Sequence, residues 1–373
     1  MKKLFYICVF LCLLTACEYP YTGTGTNPPH VIAPADSTSL HGLYLLNEGN
    51  MGSNKATLDY FDFASGIYTH NIYSQANPSV PMELGDVGND LKSYGGRLYA
   101  VINASNKVEV MDLATAKRID QIDIANCRYI TFHEDYAYIT SYAGPIQLYP
   151  QYEQKGYVLK VDTLTLQVVD TCLVGFQPDE LVIVDNKIYV ANSGGYLSPN
   201  YENTLSVIDL SSFEELKRIP VDVNLHRVRV DKYDQLWVSS RGDYQGHTSR
   251  LFCVDPKRDV VVDSLDVPCS NMCIVGDSLY YCANTFDYTT MTDKGECGII
   301  NIVTHTLISR SITDSSVSLI KPYGIMVNPL SRDIYLTDAR DCVTPGALYC
   351  FSPEGKLKWS TRTGDIPAHF VLW

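Results

Sequence analysis

The sequence predicts an all-β chain folded as a seven-bladed β-propeller, with its ring closed by the C-terminal strand pairing into the first blade. Three observations predict this. An aromatic residue ends a short strand pattern seven times, at Tyr44, Tyr99, Tyr138, Tyr189, Trp237, Tyr280 and Tyr335, at spacings of 39 to 55 residues. After each aromatic the chain runs into a second strand pattern. These patterns close on Asp62, Asp112, Asp162, Asp209 and Asp255, with Asn301 and Ser352 in the last two copies. Alternating apolar residues, rich in β-branched and aromatic types, fill the units, and a repeat of this period built from short strands marks a propeller blade.

Each unit reads as innermost strand, turn, second strand, variable loop, third strand and outer strand. The third copy shows it in full: Tyr129-Ile-Thr-Phe-His, Tyr136-Ala-Tyr-Ile-Thr, Gly156-Tyr-Val-Leu-Lys-Val-Asp and Gln167-Val-Val-Asp-Thr. Gly95-Gly96, Asp185-Asn186 and Gly276-Asp277 supply turns between the first two strands. The repeated aromatic is expected to pack between adjacent blades, and the repeated Asp to accept hydrogen bonds that fix a turn. Innermost strands begin near Leu91, Ile130, Leu181, Val228, Met272 and Ile325, but the unit around Tyr44 has none before it. Phe370-Val-Leu-Trp stands alone at the C-terminus. Pairing residues 370–373 with the first blade completes that blade and removes the open sheet edges.

The N-terminal residues read as an export signal. Lys2 and Lys3 precede an apolar run from Leu4 to Leu14, too short to span a bilayer. Leu14-Thr15-Ala16-Cys17 looks like a bacterial lipobox, in which Cys17 is acylated and becomes the new N-terminus. Residues 1–16 are therefore the expected lipoprotein signal peptide, 17–40 the lipidated Cys and a Thr-, Pro- and Ser-rich tether, and 41–373 the propeller. Glu18, in place of Asp, argues against retention at the inner membrane. The expected location is the outer membrane, lipid-anchored and exposed at the cell surface.

Removing residues 1–16 takes away two lysines and no acids, moving the formal net charge from −13 to −15. An acidic domain without a Lys/Arg cluster excludes nucleic acid as a partner. Nine cysteines besides Cys17 survive processing: Cys127, Cys172, Cys253, Cys269, Cys273, Cys282, Cys297, Cys342 and Cys350. None shows CxxC spacing, so they read as structural. Cys253 and Cys350 fit buried thiols, and Cys282 and Cys297 flank one loop and are placed to bridge a hairpin.

Loops between second and third strands share one propeller face with the connections into the next blade. They vary most here, at 47–56, 141–156, 192–203, 240–249, 283–295 and 338–346. Their tyrosines are Tyr142, Tyr149, Tyr152, Tyr196, Tyr201, Tyr244 and Tyr288. Loops held by a rigid scaffold are where binding residues concentrate. The residues just before each innermost strand form a second candidate set around the central channel: Asn89 and Asp90, Arg128, Asp179 and Glu180, His226 and Arg227, Asn271, Tyr323 and His369. This ring can donate and accept hydrogen bonds to a large polar ligand, or pair internally and seal the channel. The candidate ligand-binding residues are Asn89, Asp90, Arg128, Asp179, His226, Arg227, Asn271, Tyr323 and His369, with Tyr142, Asn192 and Arg241 from the loops.

Motifs for catalysis are absent. There is no G-x-S-x-G elbow, H-E-x-x-H helix, P-loop or Rossmann glycine pattern. The eight histidines are scattered, and the acids of 287–296 do not follow the EF-hand alternation. Arg241-Gly242-Asp243 matches an adhesion tripeptide too short to carry weight. No catalytic residue, cofactor or metal is expected.

The lipobox, the tether and blades of the form Ile188-Tyr-Val-Ala-Asn-Ser and Ser206-Val-Ile-Asp-Leu resemble the YncE-like propeller lipoproteins. More closely, the whole mature chain is similar to the surface-exposed cobalamin-binding lipoproteins of gut anaerobes. The resemblance implies a non-enzymatic protein that captures cobalamin or another corrinoid as ligand and delivers it to a TonB-dependent outer-membrane transporter, held at the membrane by its lipid anchor. The alternative is a propeller lyase or hydrolase acting on a glycan or other polar substrate. A weaker third reading is an adhesion module. The enzyme reading expects a close acid/base group in the channel with shifted ionisation. The binding reading expects a wide, aromatic-lined face without one.

Overall fold

A computed structural model describes residues 29–33, 40–80, 84–144, 154–287 and 292–373. The expected signal peptide, Cys17, most of the tether, and Tyr149, Tyr152 and Tyr288 lie outside the described residues. Within them the chain forms seven antiparallel sheets arranged as a propeller. From the innermost strand outward, blade 2 is Gly88–Tyr94, Arg97–Ile102, Lys107–Asp112 and Arg118–Asp123. Blade 3 is Cys127–His133, Tyr136–Ser141, Tyr157–Asp162 and Val168–Leu173. Blade 4 is Pro178–Val184, Lys187–Asn192, Thr204–Asp209 and Glu215–Pro220. Blade 5 is Leu225–Val230, Leu236–Ser240, Arg250–Asp255 and Val260–Leu265. Blade 6 is Asn271–Val275, Ser278–Asp287, Thr292–Asn301 and Thr306–Ser309, and blade 7 is Pro322–Val327, Ile334–Asp338, Pro345–Phe351 and Leu357–Asp365.

Blade 1 draws on both ends of the chain. Its innermost strand is Pro367–Leu372, followed outward by Gly42–Asn47, Thr57–Asp62 and Ile67–Thr69. Leu43 to Leu46 face Leu372 to His369 in antiparallel register, so the ring closes through the C-terminal strand. Outside the expected propeller boundary, His30–Val31 adds a fifth strand against Ile67 and Tyr68. The segment read as wholly tether thus has one stretch that belongs to the sheet.

The core is divided into seven apolar clusters, one at each interface between neighbouring blades. Strand periodicity sends successive side chains to opposite faces. Tyr189 and Ala191 therefore pack towards blade 5, and Ile188 and Val190 towards blade 3. With both faces covered, second strands such as Ile188-Tyr-Val-Ala are buried throughout, whereas the outer strand Val168–Leu173 is mostly exposed.

The repeated residues do what their positions suggest. The Tyr44 hydroxyl donates to Leu113 O in blade 2 at 2.7 Å. Tyr99 meets Phe132 of blade 3, Tyr138 meets Phe213 of blade 4, and Trp237 meets His305 of blade 6. Tyr189 donates to Asp259 Oδ1 of blade 5 at 2.8 Å, Tyr335 stacks on Phe63 of blade 1, and Tyr280 packs against the cluster shared with blade 7. The repeated acceptors each take a backbone N–H two or three residues on. Asp112 accepts from Thr115 N, Asp209 from Ser212 N, Asn301 from Thr304 N and Ser352 from Glu354 N.

Two expectations are corrected. Residues 283–295, read as a loop, largely extend a hairpin whose register runs on to Asp287 opposite Thr292. Cys282 and Cys297 do stand directly opposite each other there, but both thiols are free and Cys282 Sγ donates to Tyr323 O at 3.3 Å. Cys253 and Cys350 are buried thiols as expected.

Closure depends on close contacts at the seam. A Cβ on Gly346 would stand 2.5 Å from Pro367 Cδ, at the first residue of the closing strand. Deleting residues 367–373 removes the buried Phe370 and Val371 and uncovers the second strand of blade 1. The expected loss is about 5 kcal/mol or more, with Gly346→Ala losing about 1–3 kcal/mol through overpacking. Urea denaturation measures both, and a truncated chain with the full-length midpoint would contradict closure by this strand.

Candidate functional site

The residues expected around the channel lie inside the innermost strands, not before them. Blades 1, 2, 3, 4, 5 and 7 each show a register irregularity at the start of the innermost strand, where it pairs with the second. Blade 6 pairs regularly from Asn271 to Val275. A bulge adds a residue on one strand and re-aims side chains. Arg128, Tyr129, Asp179, Glu180, His226, Arg227 and Tyr323 all fall in these irregular stretches. Hydroxyls on the second strands satisfy the displaced backbone: Tyr129 N donates to Thr140 Oγ1 at 3.0 Å, Arg227 N to Ser239 Oγ at 3.0 Å and Gly324 N to Thr337 Oγ1 at 2.7 Å. Residues with left-handed backbone, Val87, Asn126, Gln177, Asn224 and Ile366, turn the chain into five of these strands.

Above the bulges lies a cavity of about 1010 Å³ to which all seven blades or their connections contribute. Of the expected residues, Asn89, Arg128, His226, Arg227, Arg241 and Tyr323 line it. The remaining expected residues stand outside that lining. Asp179 Oδ1 accepts from the Tyr142 hydroxyl at 2.7 Å and from Arg128 Nε at 3.3 Å, and its Oδ2 pairs with Arg241 at 2.9 Å. Asp90 accepts from Ile130 N, and Asn271 Nδ2 donates to Tyr323 O at 3.3 Å. Asn192 is buried within blade 4, bonded to Thr204 and Ser206 hydroxyls, and so serves the sheet. His369 bonds Glu48 Oε1 at 3.0 Å, and the Tyr323 hydroxyl donates to Glu48 Oε2 at 2.9 Å.

Glu48, Tyr129 and Gln245 also line the cavity and were not singled out in the sequence. Glu48 follows the second strand of blade 1 directly, a position the repeat identifies as the mouth. Tyr129 adjoins Arg128, and only the bulge brings it round. Tyr196 and Tyr244, among the loop tyrosines, complete an aromatic rim. Among the described residues, no group of three or more His, Cys, Asp or Glu is placed to hold a metal ion.

Charge is concentrated on the floor. Arg128 Cζ lies 4.7 Å from the Tyr142 ring centroid, and Arg227 Cζ lies 5.1 Å from that of Tyr129. Glu180 pairs with Arg229 and with Arg227 at 3.8 Å. Burial works to raise the Glu180 carboxyl, but the two arginines outweigh it and hold the pKa down to about 2. Burial pushes the Tyr129 phenol up to about 12. Its hydroxyl lies 3.1 Å from His226 Nε2. Burial first, then the positive field of Arg241, Arg227, Arg128 and Arg229, drives His226 well below its ordinary 6.5.

The unfolded chain takes up a proton at His226 as pH falls through 6.5, while the folded chain refuses it until lower pH. The stability contributed by neutral His226 is thus complete above that value and lost as pH falls below it. The ring C–H resonances of His226 are expected to titrate with a midpoint well under 6.5 when followed by NMR from about pH 8 to about pH 5. A midpoint at or above 6.5 would contradict this electrostatic picture.

Comparisons with known proteins place the chain among propellers. The family described as a domain of unknown function (DUF5074) matches residues 41–340. Among solved structures, a candidate 6-phosphogluconolactonase from Bacteroides fragilis superposes with a TM-score of 0.62 at 11% identity, covering 91% of this chain and 99% of that one. A quinonprotein alcohol dehydrogenase-like protein from Bacteroides thetaiotaomicron gives 0.59 at 12% identity, covering 89% and 78%. Hydrazine synthase from Kuenenia stuttgartiensis gives 0.58 at 16% identity, covering 70% and 76%. At these identities the likeness concerns the fold alone. No curated protein matches the sequence.

Proposed function

The chain belongs to the DUF5074 family, and we propose that it is a binding protein whose propeller mouth captures cobalamin or a related corrinoid for delivery to a TonB-dependent outer-membrane transporter. The observation that carries this reading is the mouth, about 1010 Å³, to which every blade contributes, six of them with arginine, asparagine, histidine or tyrosine and blade 1 with Glu48 and Met51. Ordinary small-molecule pockets run from roughly 300 to 1,000 Å³, so this one suits a large ligand. A corrinoid is a broad, methyl-studded ring with an amide rim. Tyr129, Tyr196, Tyr244 and Tyr323 offer aromatic surface to its apolar faces. Arg128, Arg227 and Arg241 offer donors to ligand oxygens, Asn89 donates to amide oxygens, and Glu48 accepts from amide N–H groups. Floor residues are carried on paired strands, which keeps the ordering cost of binding low. Anchoring at Cys17 and handover to a transporter are supported by the lipobox Leu14-Thr15-Ala16-Cys17 and by the resemblance of the sequence to cobalamin-binding lipoproteins.

The rival reading, a propeller lyase or hydrolase acting on a glycan, draws support from Tyr129 and His226, a contacting pair with shifted ionisation that a pure binding face did not lead one to expect. Its shifts run the wrong way for proton transfer. A general base works best with a pKa near the operating pH, whereas His226 sits well below 6.5 and Tyr129 near 12. The pair is suited to fixed hydrogen bonding, which favours the binding reading.

Gel filtration of the purified chain mixed with cyanocobalamin, followed at the corrinoid's visible absorbance, tests the proposal. Co-elution at micromolar concentration is expected, and its absence would reject the corrinoid reading. Arg128→Ala, Arg227→Ala and Tyr323→Ala are each expected to weaken retention about tenfold or more. Wild-type retention in all three would move the ligand outward to the loops.

A further inference from the structure

We infer that Arg128, Arg227 and Arg241 form an oxyanion subsite on the floor of the mouth, fitted to a phosphate-class group such as a phosphodiester. The inference rests on the mouth being the ligand site. Under the corrinoid reading, the oxyanion is the phosphodiester of cobalamin's nucleotide loop.

The first ground is a charge imbalance. Asp179 is shared by Arg128 at 3.3 Å and Arg241 at 2.9 Å, and Glu180 by Arg227 at 3.8 Å and Arg229. Four guanidinium groups therefore stand on two carboxylates. Two other acids act on Arg227 from nearby, Asp90 and Glu48. Asp90 is paired with Lys92 at 3.5 Å, and Glu48 is bonded by Tyr323 and His369. The four arginines and Lys92 are five cations against the four carboxylates of Asp179, Glu180, Asp90 and Glu48, in a chain whose formal net charge is −13. The direction of the His226 shift agrees, since after burial its largest causes are four arginines.

The second ground is hydrogen bonding. Arg227 and His226 are 4% and 9% exposed. Arg227 Nε and His226 Nδ1 have no hydrogen-bond partner among the described residues. Arg227 Nε–H is an obligate donor, and a buried donor is costly to leave unmade.

The third ground is convergence. Arg128 Cζ and Arg227 Cζ lie 6.0 and 5.1 Å from the centroid of one ring, Tyr129, and Arg128 and Arg241 meet on one carboxylate. Guanidinium forks from two blades suit a tetrahedral oxyanion, which presents oxygens in several directions.

Inorganic pyrophosphate titrated into the purified chain, read by broadening of its ³¹P resonance, tests the subsite directly. Saturable broadening is expected, weakened about tenfold or more in Arg241→Gln and unchanged in Lys257→Gln, which removes the same charge from an exposed turn. Should Arg241→Gln fail to fold, Arg128→Lys keeps the charge, loses the fork and is expected to weaken binding likewise. No saturable broadening, or equal binding by wild type and the folded arginine variant, would overturn the subsite. A parallel titration compares cobalamin with cobinamide, which lacks the phosphodiester. The arginine variant is expected to lose affinity for cobalamin and keep it for cobinamide, and equal losses would overturn the assignment to the phosphodiester. If neither corrinoid binds while pyrophosphate does, the corrinoid reading falls and the oxyanion subsite stands.

Discussion

Everything in this molecule depends on the closing of a ring. Each sheet is apolar on both faces, as second strands buried at all but at most their first residue show, so each needs a neighbour on either side. An open row of seven sheets would leave two faces exposed to water. The strand Pro367–Leu372 prevents this by completing blade 1 from the opposite end of the chain, and the cluster between blades 7 and 1 forms as a result. Burial on this scale is the main favourable term in folding, and it is non-directional. The direction comes from the repeated aromatics, which reach across to the next blade, and from repeated acceptors that fix the turns.

The ring also explains the site. Innermost strands converge on the axis, and bulges at their first residues interrupt regular pairing. Serine and threonine hydroxyls on the second strands absorb the displaced backbone N–H groups, so the interruption leaves them bonded. Charged side chains from blades 3, 4 and 5 are thereby gathered at low exposure within one mixed network. Such a network is strongly polarised, since burial makes each ion pair and each unpaired group matter more than at the surface. His226 registers the result as a depressed basicity.

Much of the architecture was legible because its causes are local. A turn acceptor such as Asp112 acts on residues two or three positions away, and the strand period appears within each short segment. The closing strand was legible by elimination, because one blade lacked an innermost strand and one strand lacked a blade. The site was legible only in outline. The positions of Arg128, Arg227 and Tyr323 in the repeat place them at the channel, but nothing local distinguishes Asp179, which supports arginines, from Asn89, which lines the cavity. That difference arises from the bulges and from contacts between blades. The hairpin that replaced the 283–295 loop has a related cause, since its residues are polar and turn-like while cross-strand pairing alone holds them extended. Asn192 looked like a loop residue and is instead committed to hydroxyls of the neighbouring strand.

The proposed ligand site at the propeller mouth draws on bulged strands from several blades at once. Hydrogen exchange of the purified chain with and without cyanocobalamin measures this most directly. Added protection is expected at the starts of the innermost strands of blades 3, 5 and 7 together, around Arg128, His226 and Tyr323. Protection confined to the outer strands, or no change at saturating corrinoid, would contradict it.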